Sequence, residues 1–244
     1  MGTSTRPRVA AKSDERVTAL ELFFDLVFVY ALTQVTALLA AHLHGRGLLQ
    51  GMVVLALVWW SWVGYSWLGN LISADEGIAR VVFITVMAAV FIASLAIPEA
   101  FDDAPGGFSG PLVLAACYAV VRYCHIGLFA YAAGLSGDRG LARTLLRFGA
   151  VATASVVLMF VGAASGGTTQ LVLWTGAVTV DYVGTQLIGA GGWRLYAPRH
   201  FSERHALIII IALGESLVSI GVGASQQPVA GPLIIAAILG IVLC

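Results

Sequence analysis

Ala206-Leu207-Ile208-Ile209-Ile210-Ile211-Ala212-Leu213 is a run of eight apolar residues with no polar interruption. A strand in a membrane barrel alternates apolar and polar side chains along its length, and this run does not. It lies inside a longer apolar stretch over residues 205–225, enough for a helix to cross the roughly 30 Å hydrocarbon core at 1.5 Å per residue. Working outward, six further stretches of similar length fall at 18–41, 48–69, 78–98, 111–133, 143–163 and 170–190. Lipid offers no partner to a free backbone N–H or C=O, so segments of this kind span as helices. The expectation is an all-α, polytopic transmembrane bundle of about seven spanning helices.

Composition agrees. Of 244 residues, 59% are hydrophobic and 11% charged, with mean hydropathy +0.91, whereas a soluble domain carries about 25% charged residues. The surplus apolar surface calls for lipid as the solvent. Thirteen basic and thirteen acidic residues cancel, so nothing favours nucleic acid as a partner. The connections are polar or turn-forming, as in Asp102-Asp103-Ala104-Pro105-Gly106-Gly107, and none separates domains. We therefore expect a basic cytoplasmic tail over residues 1–17 and a single membrane domain over 18–244. An eighth apolar run, Pro232–Cys244, reaches only about 20 Å as a helix. It reads as a re-entrant or interfacial stub or, preferably, as a partial eighth helix cut short, leaving the C-terminus truncated.

The N-terminus lacks the pattern of a signal peptide: Asp14 and Glu15 sit among its basic residues, and the apolar run that follows is too long. Basic residues set the orientation. With a cytoplasmic N-terminus, Arg6, Arg8, Lys12, Arg16, Arg80, Arg139, Arg143, Arg147, Arg194, Arg199 and Arg204 fall on the inner side and only Arg46 on the outer. That distribution obeys the positive-inside rule for an odd number of spans.

Ionisable residues inside these segments are costly and call for a partner or a role. Thr18-Ala19-Leu20-Glu21 reads as a capping box at the first helix, with Glu21 also open to a functional role. Asp25 lies one turn deeper on the same face. The two carboxylates are read either as jointly holding a proton or cation, or as paired with an arginine from a neighbouring helix. Counting rise per residue places Arg122, Asp181 and Glu215 near the midplane, as a buried ion-pair network with surplus negative charge. A proton, a bound cation or charged His125 would offset that surplus. Trp62 to Trp67 reads as an interfacial anchor, with an aromatic-lined ligand cavity as the alternative. Gly214, Ser216, Ser219, Gly221 and Gly223 give the seventh helix a small face for close packing.

Several functions fall away. The single lysine, Lys12, cannot reach a retinal inside the membrane. No metalloprotease, nucleophile-elbow, phosphate-loop or dinucleotide fingerprint is present. The histidines and the three cysteines show no metal-ligand spacing, so no metal, cofactor or catalytic residue is expected.

Two stretches together, Glu21-Leu22-Phe23-Phe24-Asp25-Leu26-Val27-Phe28-Val29 and His200-Phe201-Ser202-Glu203-Arg204 leading to Leu213-Gly214-Glu215-Ser216, resemble the bacterial low temperature requirement A family. The resemblance covers most of the chain beyond residue 16. It implies a polytopic bacterial inner-membrane protein, named for a growth phenotype in the cold and without an agreed biochemical activity. Family members are usually longer, with further membrane segments. The motif acids map onto Glu21, Asp25, Glu203 and Glu215, with Arg204 and His205 alongside.

The functional expectation is a proton- or cation-coupled, transporter-like protein using Asp25, Glu215, Asp181, Arg122 and His125. The alternative is a non-transporting scaffold or binding protein for cold or envelope stress, in which the charges only hold helices together. Partners are the lipid bilayer, a proton or small cation, and a small-molecule or lipid ligand. The oligomeric state is not legible.

Overall fold

The computed structural model describes residues 17–136, 139–189, 197–224 and 229–243. The expected tail, up to residue 16, and Arg194 lie outside these residues. Among the described residues, eight α-helices follow in order: α1 Ala19–Ala41, α2 Gly45–Leu71, α3 Gly77–Ala96, α4 Gly110–Ser136, α5 Arg139–Ser165, α6 Gly167–Ile188, α7 Pro198–Ala224 and α8 Gly231–Leu243. A 3-10 turn, Ile97–Glu99, follows α3. Seven of them have the length and apolarity to span a bilayer, and α8, at 13 residues, does not. The chain is a polytopic membrane helix bundle, as its apolar runs require.

Helices α3, α4 and α5 each pack against the next in sequence, and α1 is wedged against α2, α3 and α7. Helix α2 reaches α4, α6 and α7 as well, so α1 and α2 form the hub. Phe24, Tyr65 and Phe83 meet there, all nearly inaccessible, with ring centroids 5.1–5.5 Å apart. Offset and edge-on contacts at this spacing suit the aromatic quadrupole. Apolar side chains such as Phe23, Leu26, Phe91 and Ile92 point outward, where hydrocarbon replaces water.

Helices α5 and α6 are joined through Gly166 and Gly167, at φ +67° and +59°, a left-handed turn that side-chain-bearing residues rarely adopt. Above it the two helices pack closely. A Cβ on Gly162 would sit 2.6 Å from Trp174 Cδ1 and 2.8 Å from its Nε1. Trp174 is fully buried and donates its indole N–H to the Met159 carbonyl at 3.0 Å. Gly162→Val is expected to displace that ring and cost about 1–3 kcal/mol, as overpacking does. A lowered melting temperature in detergent checks this, and an unchanged one refutes it.

Two expectations need correction. The seventh helix starts at Pro198 rather than near 205: proline suits the first helical position, and Asn70 Oδ1 accepts the Ala197 N–H at 2.8 Å to fix the entry. Arg204 is therefore inside the helix and fully buried, not a charge at the membrane face. The small-residue face of α7 is also not packed as expected. Gly214, Ser216, Ser219, Gly221 and Gly223 are all exposed among the described residues, because α7 meets α1 and α2 through its first turns and then runs alongside α8.

Candidate functional site

The site begins with the first turn of α1. Thr18 caps it: its hydroxyl accepts the Glu21 N–H at 3.2 Å, and Glu21 Oε2 accepts the Thr18 N–H at 2.9 Å. This satisfies two backbone donors that a helix start otherwise leaves open. The same Glu21 Oε2 lies 3.1 Å from His200 Nε2, and Oε1 lies 4.0 Å from Arg204 Nη1. One turn on, Asp25 Oδ1 receives Arg204 Nη2 at 2.7 Å and the Trp62 indole N–H at 2.8 Å. Arg204 Nη1 also donates to the Tyr65 carbonyl at 3.4 Å.

Two i,i+4 pairs thus face each other, Glu21 and Asp25 from α1, His200 and Arg204 from α7. The Arg204 guanidinium lies 5.7 Å from the Phe24 ring and 5.9 Å from the Trp62 ring, a contact that favours a desolvated cation. Helix α2 can come close because residue 69 is glycine: a Cβ there would stand 2.9 Å from Arg204 Nη1. All four charged or titratable side chains are sealed, at 0% exposure for Glu21, Asp25 and Arg204 and 3% for His200.

Two carboxylates thus face one guanidinium and one imidazole in a low-dielectric interior, where a charge without a partner is costly. Asp25 Oδ2, His200 Nδ1 and Arg204 Nε have no hydrogen-bond partner among the described residues.

A second buried group ties α4, α5 and α6. Arg122 Nη2 lies 2.7 Å from Asp181 Oδ1. Asp181 Oδ2 accepts a short bond from the Tyr118 hydroxyl and another from Ser155 Oγ at 3.0 Å. This group holds one positive and one negative charge and is neutral.

The expected midplane network of Arg122, Asp181, Glu215 and His125 therefore divides. Arg122 and Asp181 pair. Glu215 is half-buried on α7 and makes no hydrogen bond or ion pair among the described residues. His125 joins neither cluster: its Nε2 meets the Gly64 carbonyl at 3.1 Å, and its ring stands between Tyr65 and Phe129. Asp25 follows the reading in which an arginine of a neighbouring helix pairs with it, and Glu21 both caps and pairs. Of the neighbouring motif residues, Glu203 is exposed. His205 bonds back to the Phe201 carbonyl at 2.8 Å and packs against Trp62.

Sequence reasoning missed His200, Trp62, Tyr118 and Ser155. His200 was findable, since its four-residue offset from Arg204 mirrors that of Glu21 from Asp25. Tyr118 stands likewise four residues before Arg122. Trp62 is fully buried, not at an interface, and nothing in the tryptophan-rich stretch distinguishes it. Nothing marks Ser155. Among the described residues, no three His, Cys, Asp or Glu side chains gather to hold a metal ion.

Comparison with known proteins follows the same lines. Residues 16–244 match the family model described as bacterial low temperature requirement A protein. An uncharacterized protein of Rhizobium meliloti (strain 1021) is 32% identical over 215 residues, which is 82% of this chain and 49% of that protein. The chain thus spans about half the length of the curated relative it matches. No solved structure matches. With both of its signature stretches converging on one buried cluster, the chain belongs to the bacterial low temperature requirement A family.

Proposed function

We propose that this protein is a proton-coupled cation exchanger of the bacterial cytoplasmic membrane, with its N-terminus in the cytoplasm and Glu21, Asp25, His200 and Arg204 as its exchange site. The observation that carries this reading is two sealed i,i+4 pairs face to face, Glu21 and Asp25 against His200 and Arg204, with Asp25 Oδ2 and His200 Nδ1 lacking hydrogen-bond partners among the described residues. A proton or a monovalent cation held beside the carboxylates offsets their charge, so either occupant lowers the cost of burying them. Helix α7 is gripped by α1 and α2 through its first turns and exposed beyond them, which suits it to move as the occupant changes. The closed Arg122–Asp181 pair holds α4 to α6 as a static frame.

The test uses proteoliposomes with a trapped pH dye and a tenfold Na+ or K+ gradient. Wild-type protein is expected to drive an internal pH change, and His200→Gln and Glu21→Gln to slow it at least about tenfold, while neither is required to lower the melting temperature. Wild-type vesicles no faster than empty ones, or a His200→Gln variant at full rate, overturn the proposal.

A second reading is favoured by the completeness of the Arg122–Asp181 group: the charges fix helix neighbours and nothing is transported. It requires wild-type vesicles to match empty ones and His200→Gln to change stability alone.

A further inference from the structure

Away from the exchange site, a cavity of about 40 Å³ lies where α1 to α5 meet. Phe28 and Ala31 of α1, Val54 of α2, Val90 of α3, Leu114 of α4 and Met159 of α5 stand in its wall. All six are between 0% and 5% exposed. Protein interiors are close-packed and keep few voids larger than a water molecule, whereas this one has room for about three water-sized groups.

Water is a poor filler for it. A buried water needs at least two polar partners, and both hydroxyls in the wall are committed. Ser61 Oγ donates to the Leu57 carbonyl at 2.8 Å, and the Tyr118 hydroxyl donates to Asp181. The Cys117 thiol behaves as a small hydrophobe, and the rest of the wall is apolar. A polar or charged molecule would lose its hydration with nothing in return.

An apolar occupant loses nothing and restores the dispersion contacts that the lining atoms lack across the void. The sulfurs of Met159 and Cys117 offer it polarisable surface. It also has a route in. The cavity lies within the segments long and apolar enough to cross a bilayer, and small apolar molecules pass from water into hydrocarbon. We propose that this cavity binds an uncharged, apolar molecule of up to about three heavy atoms, the class to which dissolved gases belong. Because five helices contribute to the wall, the occupant braces α1 to α5 from within. The site is independent of the exchange centre, with which it shares no residue.

The experiment is NMR of protein carrying carbon-13 at its methionine methyls, in detergent, under rising xenon pressure. Of the four methionines, Met159 reports on the cavity. Met52, at 53% exposed, and Met87, buried outside this wall, serve as controls. The Met159 signal is expected to shift with pressure and level off, while Met52 and Met87 drift in proportion to pressure. Methanol, small but polar, and benzene, apolar but with six carbons, are expected to give no levelling shift at Met159. Ala31→Leu fills the cavity from α1, and Ala93→Leu does so from α3. Each is expected to abolish the levelling shift with the Met87 signal in place. Ala93 is half-buried, so the second variant keeps the test open should Ala31→Leu overpack and unfold. A Met159 shift that never levels off, one that methanol or benzene reproduces, or one that survives in a folded leucine variant overturns the proposal.

Discussion

Replacing Arg204 with leucine is expected to destabilise the protein by about 3–5 kcal/mol, toward the upper end of what breaking a buried ion pair costs. Arg204 is fully buried and pairs with both Asp25, at 2.7 Å, and Glu21, at 4.0 Å. Leucine keeps volume but leaves both acids facing an apolar side chain. The Trp62 indole still serves Asp25 and His200 still serves Glu21, which sets a ceiling on the loss. Thermal unfolding in detergent, followed by intrinsic fluorescence, should show a fall of roughly 10 °C or more for a chain of this size. Adding Asp25→Asn to Arg204→Leu removes one stranded charge and should recover at least half of the fall. An Arg204→Leu protein that melts with the wild type would mean that the cluster contributes nothing to holding α7 in place.

Asp181→Leu is expected to cost about 3 kcal/mol, less than the loss at Arg204 although the ion pairs have equal length. The difference lies in the surroundings. Losing Asp181 strands the Arg122 guanidinium and removes the acceptor of Tyr118 and Ser155. Arg122, however, lines a cavity of about 300 Å³, where water can solvate the released charge, whereas Arg204 is enclosed by Phe24, Trp62 and Tyr65. The double variant Arg122→Leu/Asp181→Leu should return to within about 1 kcal/mol of wild type, since a neutral buried pair is often replaceable by apolar side chains. Melting curves of the two singles and the double form a complete cycle. A double variant as unstable as Asp181→Leu alone would show that the Tyr118 and Ser155 bonds, rather than the ion pair, carry the energy.

Helices were legible because hydrocarbon demands unbroken apolar runs, and the capping box at Thr18 gave the first start to within a residue. The start of α7 was not legible. His200, Glu203 and Arg204 look like a polar loop until one sees that two of them are on the side facing α1. The positive-inside count treated Arg204 as a surface charge because the rule concerns loops and has no term for an arginine that folds into the bundle. Rise per residue gave heights correctly enough to bring Arg122 and Asp181 together, yet it also grouped Glu215 with them. Height carries no information about which helices are neighbours, and α7 packs against α1 and α2 rather than joining the α4–α5–α6 group.

Asp25 and its arginine are 179 residues apart in the chain, so during synthesis the first helix waits for its counter-charge. At about 5–20 residues per second the interval is roughly 10–40 s. Trp62, 37 residues after Asp25, supplies the earliest donor, within the first few seconds. Synthesis of residue 204 and closure of the ionic latch are thereby ordered in time, with α7 acting as the bolt. Interrupting translation before residue 204 should leave an inserted but unlatched intermediate that proteases and chaperones at the membrane can recognise.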